Sequence, residues 1–216
     1  ENGDEAYKTI LRETEQKHID AIHTLFPLNA QSGVLSKTKK YINELELLLE
    51  AIYNVNELTK KMMDCIMSYG EIMSSYIISE KLKSAGFPIQ LKDSRELIIT
   101  DNTFGNAVVD FNTSYNNIAA YFKNSAWTIL PGFIASTPAN ETTTLGRGGS
   151  DYTAAIIAGA VNAGALEIWT DVNGMMTADP KMVAQAISIP VISYEEGMEL
   201  SHFGAKVIYP PTIQPV

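Results

Sequence analysis

The residues whose types and spacing best suit chemistry lie together in Thr144-Leu145-Gly146-Arg147-Gly148-Gly149-Ser150-Asp151. Glycines let successive backbone N–H groups converge on one concavity, and a helix starting near Ser150 adds unpaired donors and the positive end of its dipole. Arg147 can grip a carboxylate or phosphate through two parallel hydrogen bonds, which an ammonium cannot do. Asp151 sets an anion four positions after that cation. The stretch therefore reads as an anion site. Taken alone, the glycine run also reads as a surface loop with Ser150 or Asp151 as an ordinary N-cap. It departs from the dinucleotide-binding fingerprint, because Asp151 stands where a third small residue is needed.

The elements around this stretch must position it. Ile10, Leu11, Thr14, His18, Ile22 and Leu25 recur at helical spacing and predict a helix from about Asp4 to Phe26, ended by Pro27. His18 on that stripe reads as a packed or edge histidine. Ile42, Leu45, Leu49 and Ile52 predict a second helix with a solvated Lys/Glu face. Glu57–Met67 continues helical, with its methionines as adaptable core filler. After Ser68-Tyr69-Gly70-Glu71 a new amphipathic helix is expected to about Ser84, stopped by Gly86 and Pro88, which places Glu71 in a first turn. There a glutamate either complements the helix dipole or holds an ammonium group.

The middle of the chain turns strand-like, with Ile89–Leu91, Leu97–Thr100, Ala107–Val109 and Trp127–Leu130 as short apolar runs and Phe111–Lys123 as a helix. Pro131-Gly132-Phe133 is a strand-end turn, and Gly132 is a candidate for close backbone approach. Asp93 and Arg95 read as a local ion pair. Beyond the glycine stretch, the pattern predicts a helix over Tyr152–Asn162, a buried strand over Leu166–Thr170 and a turn over Asp171–Gly174. A short strand over Pro190–Ile192 follows, then a helix opened by the capping box Ser193-Tyr194-Glu195-Glu196 and reaching Gly204.

Composition bounds the function. A net charge of −9 with no cluster of Lys/Arg argues against a nucleic-acid surface, and the 45% hydrophobic content suffices for a core. Cys65 is the only cysteine, which leaves no internal disulfide and suits a reducing cytoplasm. No apolar run approaches the roughly 20 residues of a membrane span. The chain begins at Glu1 and ends at Val216 in mid-connection, and reads as cut from a longer one.

Four motifs in order, Gly146 to Ala154, Thr170-Asp171-Val172-Asn173-Gly174, Asp179-Pro180, and Phe203-Gly204-Ala205-Lys206-Val207-Ile208-Tyr209-Pro210, resemble aspartokinase, in the amino-acid kinase superfamily. Glu71 after Gly70 is similar to the family's upstream acidic motif, and Glu195–Leu200 is most similar to the kinase part of bifunctional aspartokinase/homoserine dehydrogenases. The resemblance implies an α/β fold, a three-layer αβα sandwich on a mostly parallel open sheet, with the N-terminal strands missing. It implies one truncated kinase domain over residues 1–216, with a helix-rich amino-acid-substrate part at 1–125 and a nucleotide-binding part at 126–216.

The implied reaction is phosphoryl transfer from MgATP to the side-chain carboxylate of L-aspartate, giving 4-phospho-L-aspartate, the first step of lysine, threonine and methionine biosynthesis. Carried over by resemblance, Arg147 binds the α-carboxylate, Glu71 the ammonium group, and Gly148, Gly149 and Ser150 the remainder, while Asp151 organises the catalytic centre. Thr170 and Asp171 contact ATP, Met176 and Lys181 lie along it, and Lys206 and Val207 approach its phosphates, with Mg²⁺ arriving on the nucleotide and no dedicated protein metal site. Met176 stands where the family commonly has tyrosine and Tyr209 where histidine is usual. The family's opening Lys-Phe-Gly-Gly-Thr loop is absent, so the piece alone is expected to be impaired. A homo-oligomer, with regulatory and dehydrogenase domains covalently linked in the parent chain, is the implied assembly. The alternatives are a kinase of the acetylglutamate or carbamate type, which does not need the Glu71 and Arg147 pair, and a non-catalytic nucleotide-binding or assembly module.

Overall fold

The computed structural model describes residues 5–124, 127–170, 174–179, 182–202 and 210–215. The chain opens with three long helices, α1 (Ala6–Leu25), α2 (Leu28–Val55) and α3 (Lys60–Ser84). The apolar stripe of the first two is what docks them: Leu11, Ile42 and Leu45 bury with Met73 of α3, and Ile22, Phe26 and Val34 bury with Ile77. Helix α1 ends where expected. Phe26 turns extended ahead of Pro27, and the freed carbonyls are met by Lys81 Nζ on Leu25 O (2.6 Å) and Gln31 Nε2 on Phe26 O (2.8 Å). Asn56 closes α2 in the left-handed region, φ 55°.

Helix α3 departs from the expectation drawn from the sequence. It is one continuous helix from the Thr59 cap, whose side chain accepts from the Met62 amide at 3.2 Å, and no second helix starts at Gly70. Gly70 and Glu71 therefore lie mid-helix, and Glu71 is not in a first turn. A glycine inside a helix costs about 1 kcal/mol relative to alanine, less than the packing of α3 on both its sides restores.

Strand β1 (Ile89–Leu91) pairs in parallel with β2 (Trp127–Ile129), and β3 (Ile134–Ser136) pairs antiparallel with β4 (Thr142–Thr144). Residues 97–100 and 107–109 make only single bridges, Ile99 with Ser136 and Thr100 with Val109, rather than the full strands their apolar runs suggest. A short 3-10 turn, Ser94–Glu96, fixes the approach to them, and the buried Ser94 hydroxyl donates to the carbonyls of Pro131 and Ile134. Helix α4 (Phe111–Phe122), capped by Asp110, and helix α5 (Gly149–Ala160) cover the opposite side from α3. Leu97, Ile98, Val109, Ile118, Ala135, Leu145 and Ile156 form the core between them. The layering is α/β/α, as expected.

Ile156 is wholly buried there. Its truncation to alanine is expected to cost about 2–4 kcal/mol, read as a lower urea midpoint with an unchanged slope.

The last part differs more. Leu166–Thr170 is not a buried strand: Leu166 and Ile168 are half-buried, Trp169 is 90% exposed, and no ladder joins the segment to another among the described residues. The short strand expected at Pro190–Ile192 is displaced upstream, where Met176 bridges Ser188 and the Ile189 amide donates to Met175 O at 2.8 Å. Helix α6 (Tyr194–His202) begins with the expected capping box: the Ser193 amide donates to Glu196 Oε2 at 3.0 Å and the Glu196 amide to Ser193 Oγ at 3.2 Å. Among the described residues no helix is long and apolar enough to cross a membrane.

Candidate functional site

The glycine stretch is the joint between β4 and α5. Gly146 (φ 73°) and Gly148 (φ 68°) both take the left-handed region, so the chain can reverse twice within three residues and enter α5 directly. No side chain caps α5. Among the described residues its first-turn amides at Ser150 and Asp151 meet no acceptor, and they stand next to the exposed Arg147 guanidinium. Asp151 is half-buried in that first turn.

Close packing holds this turn in place. A Cβ added at Gly132 would stand 2.9 Å from Ser150 Cα, so the strand-end turn and the α5 terminus touch backbone to backbone, the close approach expected of Gly132. A Cβ at Gly149 would stand 2.8 Å from Phe133 Cδ2. The Phe133 amide donates to Thr153 Oγ1 (3.0 Å), whose hydroxyl donates to Gly149 O (2.8 Å), and Leu145 donates its amide to Phe133 O (2.9 Å). Phe133 itself has φ 69°.

These pieces wall a cavity of about 550 Å³. One wall is Lys60, Met63, Asp64 and Met67 of α3, a second is the loop Thr103–Asn106, and the third is Phe133, Thr144, Gly146 and Arg147. Asp64 and Phe133 are site residues that sequence reasoning missed. Asp64 lay inside a run read as core filler. Phe133 shows its importance only through its backbone conformation.

Glu71 does not line the cavity. It lies one helical turn beyond Met67 on α3, half-buried, and burial pushes its carboxyl above the ordinary glutamate value. Among the described residues, neither Glu71 nor Arg147 has a side-chain hydrogen bond or an ion-pair partner. The surface does pair its charges elsewhere: Lys61 meets Glu141 at 2.6 Å, and Arg95 meets Asp93 at 2.6 Å, the local ion pair expected there.

Of the expected nucleotide contacts, Thr170 is exposed and Met176 half-buried, and neither lines the Arg147 cavity. Asp171, Lys181, Lys206 and Val207 lie outside the described residues.

Comparison with known proteins gives a consistent answer. The chain is 36% identical over 219 residues to the bifunctional aspartokinase/homoserine dehydrogenase 1, chloroplastic, of Zea mays, covering 100% of this chain and 24% of that protein. It is 38% identical over 206 residues to the lysine-sensitive aspartokinase 3 of Escherichia coli (strain K12), covering 87% of this chain and 44% of that protein. The fold superposes on the crystal structure of E. coli aspartokinase III in complex with aspartate and ADP with a TM-score of 0.82 at 35% identity, covering 91% of this chain and 45% of the other. The chain thus spans between about a quarter and under half the length of these relatives. Residues 14–216 match the amino acid kinase family, and with the identities to these relatives and the shared fold this establishes that the chain belongs to that family.

Proposed function

We propose that this chain is the kinase part of an ATP-dependent aspartate kinase, which phosphorylates the side-chain carboxylate of L-aspartate to give 4-phospho-L-aspartate. The observation that carries the reading is a pair of opposite charges with no side-chain partner among the described residues: Arg147, which lines the cavity just before α5, and Glu71, half-buried on α3 one helical turn beyond the cavity residue Met67. A free amino acid presents the complementary pair. Arg147 takes the α-carboxylate in two parallel bonds, Glu71 takes the ammonium group, and the amides of Gly148 and Ser150 meet the remaining oxygens, while Gly149 gives its own amide to Gly146 O (3.1 Å) and so shapes the turn that presents them. A simple carboxylate leaves Glu71 uncompensated. The complex of the E. coli relative with aspartate and ADP supports the same substrate pair.

The chemistry needs no strong base, because the acceptor is ionised near neutral pH. One of its oxygens forms the new bond to the γ-phosphorus while the bond to the bridging oxygen breaks and ADP leaves. Repulsion between the two anions is the obstacle, so fixed positive groups carry the catalysis. In this reading Asp151 organises the centre, and Thr170, Asp171, Met176, Lys181, Lys206 and Val207 hold the nucleotide, with Lys206 at its phosphates. Mg²⁺ arrives with ATP, held by phosphate oxygens and water. The acceptor cavity draws on both the helix-rich part, residues 1–125, and the part beyond it. The working protein carries further domains and assembles as a homo-oligomer in a reducing compartment.

Calorimetric titration with MgATP and L-aspartate, with acyl-phosphate formation assayed on the full-length protein, tests the reading. Turnover of L-aspartate but not of N-acetylglutamate or carbamate is the expected result; turnover of N-acetylglutamate alone, or nucleotide binding with no turnover, overturns it. Glu71→Gln adds a sign. Because burial raises the folded-state value, the ionised carboxylate weakens the fold above that value and not below the ordinary value of 4.5. Without ligand, Glu71→Gln is therefore expected to raise Tm at about pH 7 and to leave it unchanged at about pH 4, while affinity for L-aspartate falls at least about tenfold.

A further inference from the structure

Asp64, Ser68, Glu71, Ser75 and Ser79 recur at steps of four and three and form one stripe along α3. Four of the five are buried. The three serine hydroxyls bond only within their own helix: Ser68 donates to Cys65 O at 2.7 Å, Ser75 to Glu71 O at 2.7 Å and Ser79 to Tyr76 O at 2.9 Å. Among the described residues they hold nothing across the interface. Asp64, with no exposed surface, does the opposite, and each of its bonds leaves α3. Its Oδ2 accepts the amides of Gly105 (2.9 Å) and Thr144 (3.0 Å), and its Oδ1 accepts the Thr144 hydroxyl (2.8 Å).

Those donors sit on the two other walls of the cavity, Gly105 at the tip of the 101–108 loop and Thr144 three residues before Arg147. A single carboxylate thus ties all three walls. The loop has its own anchor at its base, where Asp101 accepts the amides of Thr103 (3.1 Å) and Val108 (2.9 Å) and the Asp101 amide donates to Val108 O (2.9 Å). The tip does not need Asp64 merely to form a turn. Nor does helix docking need it, since a well-packed apolar side chain at such a position is commonly as stabilising as a buried charge. What directional bonds supply, and apolar contacts do not, is register.

We infer that Asp64 is a positioning residue for the acceptor site, which sets α3 against β4 so that Glu71, two helical turns along the same stripe, and Arg147 stand a fixed distance apart around one substrate. This rests on the aspartate kinase reading for the identity of the acceptor and for Glu71 and Arg147 as its two grips. A ligand gripped at both ends is sensitive to that spacing in a way that the nucleotide, assigned in this reading to other residues, is not.

The test compares Asp64→Asn, Thr144→Val and Thr144→Ser in the full-length enzyme by steady-state kinetics and thermal melting. Asp64→Asn turns a two-amide acceptor into a group whose NH₂ faces a donor, and Thr144→Val removes the hydroxyl on the other oxygen. Both are expected to raise KM for L-aspartate about tenfold with KM for ATP within about twofold, Thr144→Ser to restore the wild-type value, and the double variant to be no worse than Asp64→Asn. Should Asp64→Asn fail to fold, the Thr144 pair carries the same comparison. A fall in Tm with both KM values unchanged, or raised in equal measure, makes Asp64 structural only and overturns the inference. If the wild-type enzyme phosphorylates a different carboxylate, the aspartate reading fails separately, and the split is read on that acceptor.

Discussion

Replacing Arg147 by alanine is expected to lower kcat/KM for L-aspartate by about 100- to 1,000-fold and to leave MgATP affinity within about twofold. The guanidinium is exposed at the wall of the cavity and has no side-chain partner among the described residues, so its removal disturbs no bond there and Tm should hold. The whole effect falls on the acceptor. Arg147→Lys should recover little of it, because an ammonium cannot meet both oxygens of a carboxylate in one plane. Acyl-phosphate formation at saturating ATP, with isothermal titration for the nucleotide, separates the outcomes. An equal loss of nucleotide affinity would move Arg147 to the phosphate side and reverse its assigned role.

Gly132→Ala should damage both fold and activity from outside the cavity. The added methyl meets Ser150 Cα at 2.9 Å, Cβ at 3.0 Å and Oγ at 3.2 Å, and the nearest of these is backbone that cannot swing aside. Either the strand-end turn or the first turn of α5 must retreat. A cost of about 1–3 kcal/mol in stability is expected from the overpacking, with at least about a tenfold loss in kcat/KM for aspartate as the amides of that turn shift. Urea unfolding and the kinase assay together decide it: a variant with wild-type stability and activity would mean that the two turns do not meet as described.

Sequence carried the local signals well and the distant ones poorly. The helical stripes of α1 and α2, the Phe26–Pro27 stop and the Ser193–Glu196 box are readable because each depends on neighbours a few positions away. The Gly146–Asp151 stretch is readable for the same reason. Gly70 misled because propensity is a weak force there, and packing against both layers carries α3 straight through it. Asp64 was invisible because its partners stand 41 and 80 positions away, and nothing in Met62-Met63-Asp64-Cys65 marks a buried carboxylate. The β3–β4 hairpin, three residues a side around Asn140 at φ 61°, carries too short a pattern to be read as strands. Leu166–Thr170 has the composition of a central strand, but an apolar run shows only that a residue could be buried, and Trp169 is not.

Phe133 brings the demands of folding and of recognition into conflict. A bulky side chain at φ 69° costs about 1–3 kcal/mol, a cost absent from the unfolded chain, and Thr153 and Leu145 hold the backbone there. Glycine would relieve the backbone and remove part of one wall of the Arg147 cavity in the same step. Selection for thermal resistance alone would therefore drive position 133 toward glycine, and selection for the substrate would drive it back. A laboratory lineage evolved only for heat tolerance would be expected to lose its acceptor preference here before it lost its fold.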